Sequence, residues 1–416
     1  MSGGENASHE RTVLGGAAAR LAVEGGAPVR ASLLPYARQW IEEDDVQAVV
    51  DVLRSDWLTT GPRIPALEEA VATSIGVAHG VAVSSGTAAL HAAAYALGVG
   101  PGDEVIVPAI TFAASANCVV YLGATPVFAD VDPATLLLDP VAAEERLSDK
   151  TKAIIAVDYA GQPCDYDALR RLTSRTGVSL LADASHSLGA TYHGRAVGSL
   201  ADVSTFSFHP VKHVAAGEGG LVTTDRDDLA LRMTRFRNHG IDVDHAQRTA
   251  ASSWRYSMVD LGYNYRLSDI HAGLALSQFG KLARWLERRR AIAAFYDREF
   301  SSMPCVRPLE TRPGVEHAYH LYVVRLDDPG WSADRQAVFT ALRAEGIGVN
   351  VHYLPVHLHP YYQAHFGTAP GDCPSAERAY SGLLTLPLFP GMSDQDVGDV
   401  ITAVRKVAAR YWSPVA

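Results

Sequence analysis

Between residues 80 and 240 short β-rich apolar runs alternate with segments of helical spacing, and this alternation constrains the fold more than any other feature. The β-rich runs fall at residues 81–84, 104–107, 126–130, 153–157, 179–183, 203–208 and 220–223. Helical segments at 87–97, 115–122, 165–175 and 227–238 lie between or after them. Near-continuous apolar strands joined by helices predict a mostly parallel sheet covered on both faces, an α/β fold. Only a loop joins the last two runs, which favours an antiparallel pair there.

Downstream, residues 268–300 read as one long helix, with Leu274, Leu276, Phe279, Leu282, Trp285 and Leu286 on its apolar stripe. A strand-like 320–326, a helix-like 332–345, a strand-like 349–353 and a final helix over 393–411 follow, which predicts a smaller α+β unit. Residues 1 to about 30 are rich in Gly and Ala and read as a mobile leader. The expected organisation is a leader (1–30), a large domain (31–290) and a small C-terminal domain (291–416).

Charge removes several function classes. With 36 Lys and Arg against 46 Asp and Glu, the net charge is −10, and no basic stripe exists to track a phosphate backbone. The longest basic run, Arg288-Arg289-Arg290, reads as a solvated helix face. The weakly charged stretch 80–102 is interrupted by Ser84-Ser85-Gly86-Thr87 and Pro101, so no membrane span is expected. Glu5 and Glu10 stand where a secretion signal would be basic and then apolar. The four cysteines (Cys118, Cys164, Cys305, Cys373) are widely spaced without a C-x-x-C, which fits a reducing, cytoplasmic compartment.

Two patterns imitate binding motifs. Gly98-Val99-Gly100-Pro101-Gly102 has the glycines of a dinucleotide loop, but it leaves a helix and enters a strand, the reverse of that motif's setting. It reads as a helix end and turn. His352, His357, His359 and His365 lack metal-ligand spacing or supporting acids, so no metal is expected, and one or two of them are read as facing a polar pocket.

Three features converge at the carboxyl ends of expected strands, where open α/β sheets bind ligands. In Ser84-Ser85-Gly86-Thr87-Ala88-Ala89-Leu90 a strand runs through a small-residue turn into a helix, whose first amides and dipole can hold an anion. In Leu180-Leu181-Ala182-Asp183-Ala184-Ser185-His186 an acid ends an apolar strand, where burial is costly without a cationic partner. A protonated pyridine nitrogen is one such partner; a helix-capping role is the alternative. In Phe206-Ser207-Phe208-His209-Pro210-Val211-Lys212-His213, followed by Gly217-Glu218-Gly219-Gly220, a lone lysine leaves an apolar strand. Partial desolvation there would free its amine for Schiff-base chemistry. A phosphate cup, a buried acid and a loop lysine together are what pyridoxal phosphate requires.

These residues, with Ser55-Asp56-Trp57-Leu58-Thr59-Thr60-Gly61-Pro62 and Leu261-Gly262-Tyr263-Asn264-Tyr265-Arg266-Leu267-Ser268-Asp269, carry a resemblance. From residue 34 to about 411 the chain resembles the DegT/DnrJ/EryC1/StrS sugar aminotransferases, pyridoxal-phosphate enzymes of fold type I. Within the family it most resembles C4-aminotransferases of UDP-sugars. These include the pseudaminic acid enzymes acting on a UDP-4-keto-6-deoxy-N-acetylhexosamine and those making UDP-4-amino-4-deoxy-L-arabinose. The resemblance implies an aspartate aminotransferase-like fold, a seven-stranded sheet in the large cofactor domain, and transfer of an amino group from L-glutamate to a nucleotide-linked keto-sugar. It implies catalytic roles for Lys212 (the Schiff-base lysine), Asp183 (beside the pyridine nitrogen) and His186 (near the ring hydroxyl). Phe112 would stack on the ring, and Gly86, Thr87 and Ser207 would hold the phosphate. Asn264 would reach the phosphate of a neighbouring subunit, so a homodimer with shared sites is implied. Tyr36, Thr60, Arg266, His352 and Tyr353 match positions that touch the sugar nucleotide.

The chain departs from close relatives at His213, where they carry Asn or Pro. The segment Leu21-Ala22-Val23-Glu24-Gly25-Gly26-Ala27-Pro28-Val29-Arg30 resembles a leader of aminosugar and aminocyclitol enzymes in antibiotic pathways. The same chemistry on a 3-keto dTDP-sugar or a keto-inositol therefore stands as an alternative. A catalytically silent pyridoxal-phosphate protein with a regulatory role is the alternative from another class.

Overall fold

The computed structural model describes residues 20–243, 248 and 252–415. Seven strands form its central sheet: β1 (His79–Val83), β2 (Glu104–Pro108), β3 (Thr125–Ala129), β4 (Thr151–Val157), β5 (Ser179–Asp183), β6 (Val203–Ser207) and β7 (Gly220–Thr224). Their spatial order is β1-β7-β6-β5-β4-β2-β3. The pairs β2–β3, β2–β4, β4–β5 and β5–β6 are parallel. β7 runs antiparallel to both β6 and β1, as its short connection to β6 predicts. Two reversals restore direction, so β1 is parallel to β6 and ends at the same edge as β2, β5 and β6. Ile106, Ile154, Ile155, Leu180 and Leu181 are all buried, as strands covered on both faces require.

Helices cover both faces, and ten position the site or its supports. They are α1 (Glu43–Leu53), α2 (Arg63–Ile75), α3 (Gly86–Ala96), α4 (Ala114–Tyr121), α5 (Tyr166–Thr176), α6 (Asp227–Phe236), α7 (Asp269–Phe279), α8 (Leu282–Phe300), α9 (Arg335–Ala344) and α10 (Asp394–Tyr411). α3 is apolar nearly all round and almost wholly buried, and its alanines allow close approach to the sheet. The stretch after it behaves as a turn: Gly98 and Gly102 take φ of +79° and +92° before β2 begins.

A second apolar core lies beyond the first. It gathers Ile292, Ala293, Tyr296 and Phe300 of α8 with residues of α9, α10 and a three-stranded sheet (Arg307–Pro308, Tyr322–Arg325, Leu383–Leu386). The same helix gives Leu282 and Leu286 to the first core, so α8 is rooted in both.

The structure corrects four sequence expectations. Residues 268–300 form two helices, broken at Gly280-Lys281. Glycine weakens the helix there, and the Lys281 ammonium is drawn to the acidic start of α1, 2.5 Å from Asp44 and 2.8 Å from Asp45. Residues 349–353 are extended but make only an isolated bridge, Asn350 to Thr385. Of the expected leader, residues 1–19 lie outside the described residues, and residues 20–30 pack against the second core. Leu21 is fully buried, and the Glu345 carboxylate accepts from the Ala22 and Val29 amides at 2.8 and 3.0 Å. In the basic triplet, Arg289 is buried rather than solvated, because it falls on the inward stripe of α8.

Candidate active site

Loops from β1, β2, β5 and β6 meet at the shared carboxyl edge and enclose a cavity of about 480 Å³. Of the residues expected there, Tyr36, Gly86, Thr87, Phe112, Asp183, His186, Ser207, Lys212, His352 and Tyr353 line it.

The anion cup forms where β1 meets α3. Ser85 caps the helix, its hydroxyl accepting from the Ala88 amide at 3.1 Å. The amides of Gly86 and Thr87 belong to the first turn, which has no intrahelical acceptors. A Cβ at Gly86 would lie 2.8 Å from the Ser207 Cβ, so only glycine lets the turn and the end of β6 close on one anion.

Asp183 is the last residue of β5 and 6% exposed. Ser115 donates to its Oδ2 at 2.6 Å, and Ser185 donates its hydroxyl to Oδ1 at 2.6 Å and its amide at 3.2 Å. Thr111 in turn meets the Ser115 hydroxyl at 2.7 Å. These neutral donors aim the carboxylate, and among the described residues no cationic side chain ion-pairs with it. Its charge is available to a cationic ligand atom, which a protonated pyridine nitrogen supplies.

Lys212 sits across the cavity, with Nζ 3.4 Å from His320 Nε2. Burial drops its amine from the ordinary lysine range to about 8, against the opposing pull of Asp183. Burial, then the charge of Lys212, holds His186 well below the usual imidazole value. Its Nε2 is 3.3 Å from the Tyr353 hydroxyl, and its ring centroid is 4.3 Å from that of His320. His352 is brought down to about 4 by burial first and Lys212 second. Its Nδ1 meets the Thr385 hydroxyl at 2.8 Å, and its carbonyl accepts from Tyr159. Phe112 is 59% exposed and flanks the cavity mouth, where a flat ring can be covered.

A cationic ring nitrogen, an aldehyde carbon and a phosphate thus find an oriented acid, a desolvated amine and an amide cup in one cavity. The donor set fits pyridoxal phosphate.

Three expected residues lie outside the cavity. Thr60 turns its hydroxyl to the Thr59 carbonyl, Arg266 donates to Asn238 at 2.7 Å, and Asn264 is exposed opposite Asn238. His213 is buried and its Nε2 lies 3.0 Å from the Ala318 carbonyl, sewing the lysine loop to the turn that carries His320. Sequence reasoning missed His320, Ser115 and Ser185. His320 opens the strand-like 320–326 run, and the available signal was a polar residue heading an apolar strand. Of the four C-terminal histidines only His352 lines the cavity; His357 is buried against Glu377 at 2.9 Å.

Comparison with known proteins finds relatives along most of the chain. The model of the DegT/DnrJ/EryC1/StrS aminotransferase family matches residues 39–405. The spore coat polysaccharide biosynthesis protein SpsC of Bacillus subtilis is 42% identical over 380 residues, covering 91% of this chain and 98% of SpsC. The Streptococcus pneumoniae protein Spr1654 in its pyridoxal-phosphate form superposes with a TM-score of 0.85 at 33% identity, over 91% of this chain and 99% of that one. PseC of Helicobacter pylori, an aminotransferase involved in pseudaminic acid biosynthesis, superposes with a TM-score of 0.84 at 32% identity, over 90% and 99%.

Proposed function

The chain belongs to the DegT/DnrJ/EryC1/StrS aminotransferase family, and from that premise we propose that this sugar aminotransferase aminates C4 of a UDP-4-keto-6-deoxyhexose carrying an N-acetyl group, with L-glutamate as donor. The observation that carries the reading is one cavity that joins Lys212, the Asp183 carboxylate and the Gly86–Thr87 amide cup. PseC, similar over nearly its whole length, supports the choice of sugar.

Pyridoxal phosphate, when bound, supplies the aldehyde that carries the amino group and the ring that accepts electrons. The chain's own residues do the rest. Asp183, aimed by Ser115 and Ser185, holds a proton on the ring nitrogen. Gly86, Thr87 and Ser207 would hold the phosphate, and Phe112 and His186, in the same cavity, would flank the ring. Lys212 would hold the cofactor aldehyde through its amine, and that amine, when free, would take a proton from the substrate carbon and return it. An amine near pKa 8 can accept and return that proton at neutral pH, where an ordinary lysine stays charged. His352, Tyr353 and Tyr36 form the wall facing the sugar. Glutamate and keto-sugar take turns in the same cavity, which gives ping-pong kinetics.

Asn264 and Arg266 complete the site from a neighbouring copy in this proposal. Leu261 and Tyr263, next to them in the chain, are exposed apolar residues of a kind a homodimer would cover. Thr60, also outside the cavity, would touch the nucleotide across the interface. The reaction is placed in the cytoplasm, which fits four buried free thiols. No helix among the described residues is long and apolar enough to cross a membrane.

The test is to incubate the protein with glutamate and a panel of UDP- and dTDP-keto-sugars and identify the amino product by mass and NMR. Amination of the UDP-4-keto sugar, lost in Lys212→Ala, is expected. Exclusive use of a 3-keto sugar or a keto-inositol would replace the proposed substrate, and wild-type turnover by Lys212→Ala would overturn the mechanism.

A further inference from the structure

We infer that Arg289 and His320 are positioning residues for Lys212: the guanidinium fixes the turn that carries His320, and the imidazole so held accepts the ε-amino group whenever that group is not bonded elsewhere. The inference rests on the proposed aminotransferase reading and adds two residues to it.

Arg289 is 2% exposed, on the inward face of α8, and makes no ion pair among the described residues. A buried charge without a counter-ion is costly, so its neutral partners must matter. Nη1 donates to the carbonyls of Tyr319 and Leu388, each at 3.1 Å, and lies 3.5 Å from that of His320. The turn it clamps is unusual. Tyr319 has φ +48°, in the left-handed region, and the turn bonded to it holds a second left-handed residue, Ala160 at +59°. Ala318 and Leu321 donate to the Gly161 and Ala160 carbonyls at 2.9 and 3.1 Å. A Cβ on Gly161 would sit 2.9 Å from the amide nitrogens of both Tyr319 and His320. His213 reaches the Ala318 carbonyl from the lysine loop. The turn is thus held from the sheet edge, the lysine loop and α8 at once, and it presents His320 Nε2 to Lys212 Nζ.

The ammonium form of Lys212 can only donate, so Nε2 is the acceptor and the ring proton belongs on Nδ1, which has no partner among the described protein atoms. A carboxylate in this place would hold the lysine permanently charged. An imidazole held low by burial first and the charge of Lys212 second, with Arg289 a smaller contributor, accepts the amine without doing so. The other titratable groups around the amine are Asp183 at the end of β5, His186 beyond it, His209 and His213 on the same loop, and Tyr36, His352, Tyr353 and Glu218 on the cavity wall.

The test uses the full-length apoprotein, acylated with trace acetic anhydride across pH 5 to 11, with the Lys212 peptide followed by mass spectrometry. The wild-type midpoint is expected near 8. His320→Phe keeps the ring and removes the acceptor, so the midpoint should fall by about one pH unit; His320→Gln, which restores an acceptor, should recover most of the fall. If His320→Phe does not fold, His320→Asn, too short to reach, takes its place. An unchanged or raised midpoint overturns the role of His320. In Arg289→Met, hydrogen exchange at the Ala318 and Leu321 amides should rise about tenfold, with kcat lower and KM unchanged, and Arg289→Lys should restore both. Unchanged exchange overturns the clamp. A purely structural role would lower the unfolding temperature and leave the Lys212 midpoint in place. Absence of amino transfer by the wild type would refute the proposed function, yet the acylation titration would still decide this inference.

Discussion

Glu345→Ala should loosen the N-terminal segment without unfolding the rest. The Glu345 side chain is fully buried at the end of α9, where it accepts from the Ala22 and Val29 amides and pairs with the Lys406 ammonium at 2.8 Å. Its own backbone continues the clasp: Arg30 donates to the Glu345 carbonyl, Leu34 to that of Gly346, and Gly348 back to that of Leu34. Removing the carboxylate strands two amides and leaves Lys406, 12% exposed, without its acid. A buried pair broken on one side costs about 3–5 kcal/mol. Taking about 3 kcal/mol as released into local opening, amide exchange across residues 20–36 should accelerate by about two orders of magnitude, since each factor of ten is about 1.4 kcal/mol. Glu345→Gln keeps an acceptor and should fall between the two. Hydrogen exchange with peptide-level mass spectrometry measures this directly. The segment ends at Tyr36, whose ring lies 5.2 Å from that of His352 in the cavity wall, so the variant should also raise the KM for the sugar nucleotide. Less than about fivefold faster exchange, about 1 kcal/mol, would refute the reasoning that Glu345 holds this segment down.

Other outcomes follow from the same structure. Capture of pyridoxal phosphate by the apoprotein needs the neutral Lys212 amine; because burial lowers its pKa to about 8, the stopped-flow capture rate should climb with a midpoint near pH 8 and level off above about pH 9, whereas a tenfold rise per pH unit continuing to pH 10 would show an ordinary lysine. Gly86→Val should preserve the circular dichroism spectrum yet weaken cofactor binding by about a hundredfold in equilibrium dialysis, because the added carbons meet Ser207 inside 3 Å; unchanged binding would place the phosphate elsewhere. All four cysteines are buried, and burial raises Cys305 and Cys373 to about 12, so a thiol reagent at pH 8 should titrate none in the native protein and all four in denaturant.

The sheet was legible because strands buried on both faces write themselves as unbroken runs such as Ala153-Ile154-Ile155-Ala156-Val157, and the seven runs agree with the seven strands to within a few residues. Asp183 and Lys212 were legible for a related reason: each breaks polarity at the end of such a run. The break at Gly280-Lys281 was hidden because apolar residues keep helical spacing on both sides of it. Arg289 was masked by its neighbours in the triplet, although Trp285, Leu286, Ile292, Ala293 and Tyr296 bracket it at the spacing of a buried stripe. His320 stands out locally only as a polar residue heading an apolar run, which does not give its role, since its contact with Lys212 spans 108 residues and depends on two left-handed turns meeting. Residues 20–30 look mobile by composition; their order comes from Glu345, more than 300 residues away.

The antiparallel pairing of β1 with β7 has a consequence for biosynthesis. His79 faces Thr224, so strand β1, which leads into the anion cup and lies at the sheet edge among the described residues, gains its neighbour β7 145 residues after it is made (224 − 79 = 145). Closing so long a loop is entropically expensive and slow. By the time Thr224 leaves the ribosome, Asp183 and Lys212 have already emerged. Of Asp183, Lys212 and the cup, the cup is therefore the last to be assembled on a nascent chain, and stalled ribosomal complexes should retain no pyridoxal phosphate before synthesis has passed β7.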